Sequence, residues 1–182
     1  NNAYLRGAKL NNAYLEGAEL NNADLRHGEL NKANLRFADL NYADLRGAEL
    51  NAHLAEADLT NANLEGAELN NSVLWYAKLN DANLREAKLN NADLREAELN
   101  DANLHEAELN NAYLRGAKLN NAYLADADLN YADLREAELN GANLEGAELK
   151  NAVTDKGLYD AEGKFIANRA VSYTHLTLPT TL

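Results

Sequence analysis

Residues 92–101 read Ala92-Asp93-Leu94-Arg95-Glu96-Ala97-Glu98-Leu99-Asn100-Asp101, two consecutive units of the form Ala-x-Leu-x-x. Leu returns at every fifth position, ten times from Leu5 to Leu50 and twenty times from Leu54 to Leu149. Two residues before it stands Ala, replaced only by Gly28 and Ser72. On an α-helix, at about 100° per residue, this spacing walks Leu around the whole cylinder. On a flat strand, an odd spacing sends successive leucines to opposite faces. A chain that turns a corner once per unit keeps every Leu on the same side. Four units of five then close a square coil of twenty residues, with Leu pointing inward from each side and Ala beside it near the corner.

A longer period supports this path. Asn follows alternate leucines at Asn11, Asn21, Asn31, Asn41 and Asn51, and again every ten residues from Asn70 to Asn140, with Thr60 interrupting. In a square coil these positions fall on two opposite sides. There like amides stack and can bond to the coils above and below. Turn preference alone explains Asn at corners, though not its strict alternation.

Tandem Ala-[Asp/Asn/Tyr]-Leu-x-x resembles the pentapeptide-repeat family, and the match runs from residue 3 to about 153. The resemblance implies an all-β fold, a right-handed quadrilateral β-helix solenoid of about 7.5 coils. Handedness is implied by the resemblance alone. At the spacing of stacked strands such a rod is about 36 Å long. Its interior is a dry column of Leu, each worth about 1.5–3 kcal/mol on burial. Function is therefore expected on the outside.

Two irregularities interrupt the pattern. Leu50 and Leu54 are four residues apart, so the unit at Asn51-Ala52-His53 lacks one residue. The missing position is outward or at a corner, which predicts a tightened corner rather than a break. The chain also starts in mid-repeat, whereas solenoid ends normally need a polar cap. That suggests a longer array or coils that stack end to end. The expected organisation is a β-helix over 1–153, with its one-residue deletion near 51–53. An irregular terminal coil or cap follows over 154–170, with Leu158, Tyr159, Phe165 and Ile166 as capping side chains. Residues 171–182 have no repeat logic and read as a non-native or disordered tail.

The chemistry expected of this chain is sparse. Among 182 residues there is no Cys, and the net charge is -12. An acidic surface disfavours direct contact with nucleic acid or an anionic membrane and suits basic partners better. No apolar run approaches the roughly 20 residues of a membrane span. With neither a span nor a signal segment the compartment stays unknown, cytoplasmic by default. His27, His53, His105 and His175 show no recognised metal-ligand spacing, and Ser72 and Ser172 offer no credible nucleophilic triad. Expected catalytic, cofactor-binding and metal residues are none, no small-molecule substrate is expected, and the protein reads as no enzyme.

The outward positions do carry a pattern. Stepping by 20, with one step of 19, brings Tyr14, Phe37, Val73, Trp75, Tyr76 and Tyr113 onto one face, together with His53. Trp is enriched at protein-binding hot spots, and these six residues form the candidate protein-contact face. The alternative is that stacked aromatics stabilise their ladder neighbours. Arg95, Arg115 and Arg135 share that face, with Glu96 and Glu136 expected to neutralise them. The function expected is a non-enzymatic structural or interaction scaffold, binding a protein partner or itself by end stacking. The alternative, implied by the resemblance, is a DNA-mimicking inhibitor of type II topoisomerase, like the quinolone-resistance members. Duplex DNA carries a charge per roughly 1.7 Å, so a stretch of about 36 Å holds about 21 charges, against a net 12 here.

Overall fold

The structure is a computed structural model that describes residues 2–155 in full and the backbone of 157–159 and 165–167. Each repeat contributes one outward residue that pairs in parallel with its equivalent one coil later, as in Tyr14↔Asn34 and Asn83↔Asn103. Four such columns run along the molecule. We call the sides A to D, starting from those of Leu5, Leu10, Leu15 and Leu20. Leu and Ala line the interior between them, and from Leu25 to Leu129 every core Leu is essentially inaccessible. Leu5, Leu10 and Leu15 at one end, and Leu139, Leu144 and Leu149 at the other, are partly buried.

The corner explains the five-residue period. After each Leu come two corner residues, and the amide of the next Ala donates back to the Leu carbonyl at 2.9–3.2 Å. The second corner residue has positive φ throughout, from Gly7 (φ 66) to Asn151 (φ 57). A four-residue turn with left-handed backbone only at its third residue is a type II turn, which favours Gly or Asn there. Many corners nonetheless carry Glu, Tyr, Phe or His at that position, for instance Glu56, Tyr76 and Phe37. For such residues the left-handed region costs about 1–2 kcal/mol each.

Four of the five amides in a unit are consumed by this turn and by three bonds between coils, at 2.6–3.2 Å. The fifth amide, on the first corner residue, is met by a side chain in two ways wherever the sequence supplies an acceptor. On sides A and C an Asp or Asn two residues earlier accepts it locally, as Asp24 does from Arg26 and Asn103 from His105. On sides B and D the bridging residue is most often Glu or Lys, and the Asn of the coil below takes over. Asn80 Oδ1 accepts the Asn100 amide at 3.1 Å, and Asn100 accepts that of Asn120 at 3.2 Å. The Nδ2 groups of these Asn donate to carboxylates of the next coil, as from Asn90 to Glu108 at 2.7 Å, or to the adjacent amide, as from Asn120 to Asn100.

The missing residue is absorbed at a corner. Asn34 pairs with His53 and His53 with Val73, so side C continues through a 19-residue step. What is lost is the left-handed position that Lys32 fills one coil earlier. Among the described residues, the turn bond from Ala52 to Leu50 and the bond that would reach the Asn70 carbonyl both drop out. The Asn ladder of side B lapses between Asn51 and Asn70. That of side D lapses nearby, where Asn41 and Thr60 turn to their own Asp39 and Asp58.

At its end the chain leaves the parallel ladder. Strand β1 (Val153–Thr154) takes up the last bridge, Asp133↔Val153. It then pairs antiparallel with β2 (Gly157–Tyr159), which pairs with β3 (Phe165–Ala167). The capping role expected of Leu158, Tyr159, Phe165 and Ile166 concerns side chains outside the described residues. So does the expectation for 171–182.

Candidate functional site

Side C and the corner between C and D hold the aromatic residues read from the sequence. Tyr14, Val73 and Tyr113 lie in the side C column, but Asn34 and His53 separate the first two and Asp93 the last two. Tyr14 is 92% exposed and Tyr113 52%, so both stand apart from Trp75 as isolated surface rings. Trp75 and Tyr76 occupy the corner after Leu74, with ring centroids 5.7 Å apart and an interplanar angle of 84°. Phe37 lies in the same corner column as Tyr76, with Glu56 between them; the rings are 47% and 56% exposed. Phe37, Trp75 and Tyr76 thus gather around Glu56, with Val73 in the side C column of the same coil as Trp75.

Two recesses open beside the half-buried Trp75. One, of about 320 Å³, is lined by Trp75, Tyr76, Arg95, Glu96 and Arg115. The other, of about 440 Å³, is lined by Phe37, Glu56, Trp75, Tyr76 and Lys78. The sequence reading passed over Ala55, which makes room here. It stands in the column where Arg36, Trp75 and Arg95 stand in other coils, and it is fully buried beneath its neighbours. Arg36 places its guanidinium 5.0 Å from the Phe37 ring centre, a cation–π contact. Its Nε is buried without a partner.

The electrostatics of the arginine column differ from the expectation. Arg95 and Arg135 are each bound in a fork by their own bridging Asp, with closest approaches of 2.6 Å to Asp93 and 2.5 Å to Asp133. Only Arg115, whose bridging residue is Tyr113, turns to Glu136, at 2.6 Å. The reason is the side-chain length of Asp, which accepts the corner amide and the guanidinium together. The same fork recurs on side A. The hydrogen bond from Arg26 holds the Asp24 carboxyl down at about 2. Bonds from Arg46 and Arg135 likewise lower Asp44 and Asp133. Burial, aided by the charge of Arg36, lowers His53.

Among the described residues no three His, Asp or Glu side chains converge as metal ligands. No described helix is long and apolar enough to cross a membrane.

The sequence model described as Pentapeptide repeats matches in eight copies, over residues 1–36, 18–51, 50–75, 77–116 and 117–153. The chain belongs to the pentapeptide-repeat family. Among solved structures it is similar to HetL, a pentapeptide-repeat protein involved in heterocyst differentiation regulation in the cyanobacterium Nostoc sp. strain PCC 7120. That likeness has 32% identity and a TM-score of 0.56, and covers 91% of this chain and 92% of HetL. Rfr23 from the cyanobacterium Cyanothece 51142 is 36% identical over 64% of each chain, with a TM-score of 0.32. QnrB1, a plasmid-mediated fluoroquinolone resistance protein, is 16% identical over 82% of this chain and 92% of its own, with a TM-score of 0.41. No curated protein matches the sequence significantly. As a pentapeptide-repeat protein the chain shares the family's four-sided β-helix, and the turns and ladders above are the physical content of that membership.

Proposed function

We propose that this pentapeptide-repeat protein is a non-enzymatic scaffold that presents its C–D corner to another protein. The observation that carries the reading is the Val73–Trp75–Tyr76 cluster. There two aromatic rings meet edge to face at one corner, whereas Tyr4, Tyr14, Tyr42 and Tyr131 are exposed elsewhere on the surface. Interface anchors are typically aromatic residues seated in partly desolvated recesses. The interior is filled by Leu and Ala, so a ligand has no cavity to enter there. HetL's involvement in a regulatory process agrees with a binding role rather than a chemical one.

The charge layout favours this over mimicry of DNA. Part of the acidity is cancelled where it arises: Asp24, Asp44, Asp93 and Asp133 each pair with an adjacent Arg, and Glu68 and Glu98 with Lys88 and Lys118. Affinity capture with the intact chain and with Trp75→Ala/Tyr76→Ala tests the scaffold reading. A partner held by the first and released by the second is expected; equal retention by both contradicts the assignment of the corner. In a gyrase supercoiling assay no inhibition is expected at micromolar protein, and inhibition would establish the DNA-mimic reading instead.

A further inference from the structure

The recess bounded by Phe37, Trp75 and Tyr76 is distinguished by what it leaves unpaired. Phe37, Glu56 and Tyr76 follow one another along one corner column, so two aromatic rings flank a carboxylate while Trp75 closes the side. At equivalent corner positions Glu86 is held by Arg85 and Glu136 by Arg115. Glu56 has no ion-pair or side-chain hydrogen-bond partner among the described residues. Arg115 reaches Glu136 from the coil before, and Arg36 stands in the same relation to Glu56, yet its guanidinium is turned to the Phe37 ring instead. The site therefore has three aromatic rings around a carboxylate that no cation of the chain holds.

These features are complementary to a guanidinium group. A planar cation stacks on aromatic faces while pairing with a carboxylate, and Arg does so better than Lys because its charge is delocalised and weakly hydrated. Arg36 already shows the stacking half of this recognition on Phe37. Lys78 at the rim lies in the side D column between Asp58 and Glu98. The net charge of -12 attracts a basic segment to the rod as a whole. We infer that the Phe37–Glu56–Trp75–Tyr76 recess receives an arginine side chain from a basic segment of a partner protein. This rests on the scaffold reading and gives it a partner chemistry.

Trp75 is the single tryptophan of the chain, so its emission and its indole N–H resonance report on this recess alone. The full chain is titrated with a short peptide alternating Gly and Arg, with its Lys counterpart, and with one in which neutral citrulline replaces Arg. The Arg peptide is expected to give a saturable change at Trp75, with binding about three- to tenfold weaker for Lys and for Glu56→Gln. Glu145→Gln, an exposed carboxylate on side A with the same change in net charge, leaves the affinity unaltered. No response at Trp75, an equal response to citrulline, or equal effects of the two Gln substitutions would overturn the inference. A captured partner whose binding survives Glu56→Gln but not Trp75→Ala/Tyr76→Ala refutes the arginine site and leaves the scaffold standing.

Discussion

Ser72 sits where all but one of the other repeats have Ala; it is fully buried, and its hydroxyl has no hydrogen-bond partner. A buried unsatisfied hydroxyl costs about 1–3 kcal/mol. Ser72→Ala is therefore expected to raise stability by about 1 kcal/mol, read as a higher urea midpoint at unchanged slope. The corner glycines run the other way. At Gly66 (φ +63) an added Cβ would meet nothing within 4 Å, so Gly66→Ala isolates the backbone cost of the left-handed region. That substitution is expected to lower stability by about 1 kcal/mol, with Gly66→Asn recovering part of it. Residue identity was legible in the sequence wherever packing dictated it, as at Ser72 and Gly28. What Asp24 or Asn103 does was not, because a periodic pattern shows that a residue recurs, not which amide it serves.

The coil is the element of this fold, and its unit of satisfaction is the fifth amide. Asn100 accepts both the amide and the Nδ2 of Asn120, so Asn100→Ala strands groups in the coil above. A loss of about 1–2 kcal/mol is expected, with faster hydrogen exchange at the Asn120 amide as the local readout. The alternation of Asn in the sequence foretold these ladders, though not their carboxylate partners one coil on. The shortened unit at Asn51 was also legible, and the corner absorbs it as the outward position of the gap implies. Inserting Gly between Asn51 and Ala52 restores the left-handed position, the Ala52 turn bond and a donor for the Asn70 carbonyl. The insertion is expected to stabilise by about 1–2 kcal/mol, and a lower thermal midpoint would contradict this account of the corner.

Across the whole molecule Asp–Arg forks recur on sides A and C, while the carboxylates of sides B and D are bonded by Asn or, at Glu68 and Glu98, by Lys88 and Lys118. Asp24, Asp44 and Asp133 have folded pKa values below those of the open chain. Their stabilisation is thus full above the unfolded value of about 3.9 and is lost as pH falls through the folded values. Urea midpoints are expected to drop between about pH 4 and 2, and Asp44→Asn to flatten that slope. His53 is lowered by burial, so its neutral form belongs to the fold; stability declines as pH falls below about 6.5, and His53→Asn removes that step. Sorting outer residues into four sides needed only the repeat. Finding the recess needed the structure, because Ala55 and Glu56 matter through the neighbours they lack.

That sorting, and with it the meeting of Phe37, Glu56 and Trp75, depends on the 19-residue step from Asn34 to His53. The chain has no cysteine, so a pair of introduced thiols reads this register without background. Paired positions on adjacent coils lie about 4.8 Å apart, within reach of a disulfide. Oxidation of Asn34→Cys/His53→Cys is predicted to give an intramolecular disulfide, while Asn34→Cys/Leu54→Cys stays reduced because Leu54 points into the core. Cross-linking of the second pair in preference to the first would contradict the register and the candidate surface built on it.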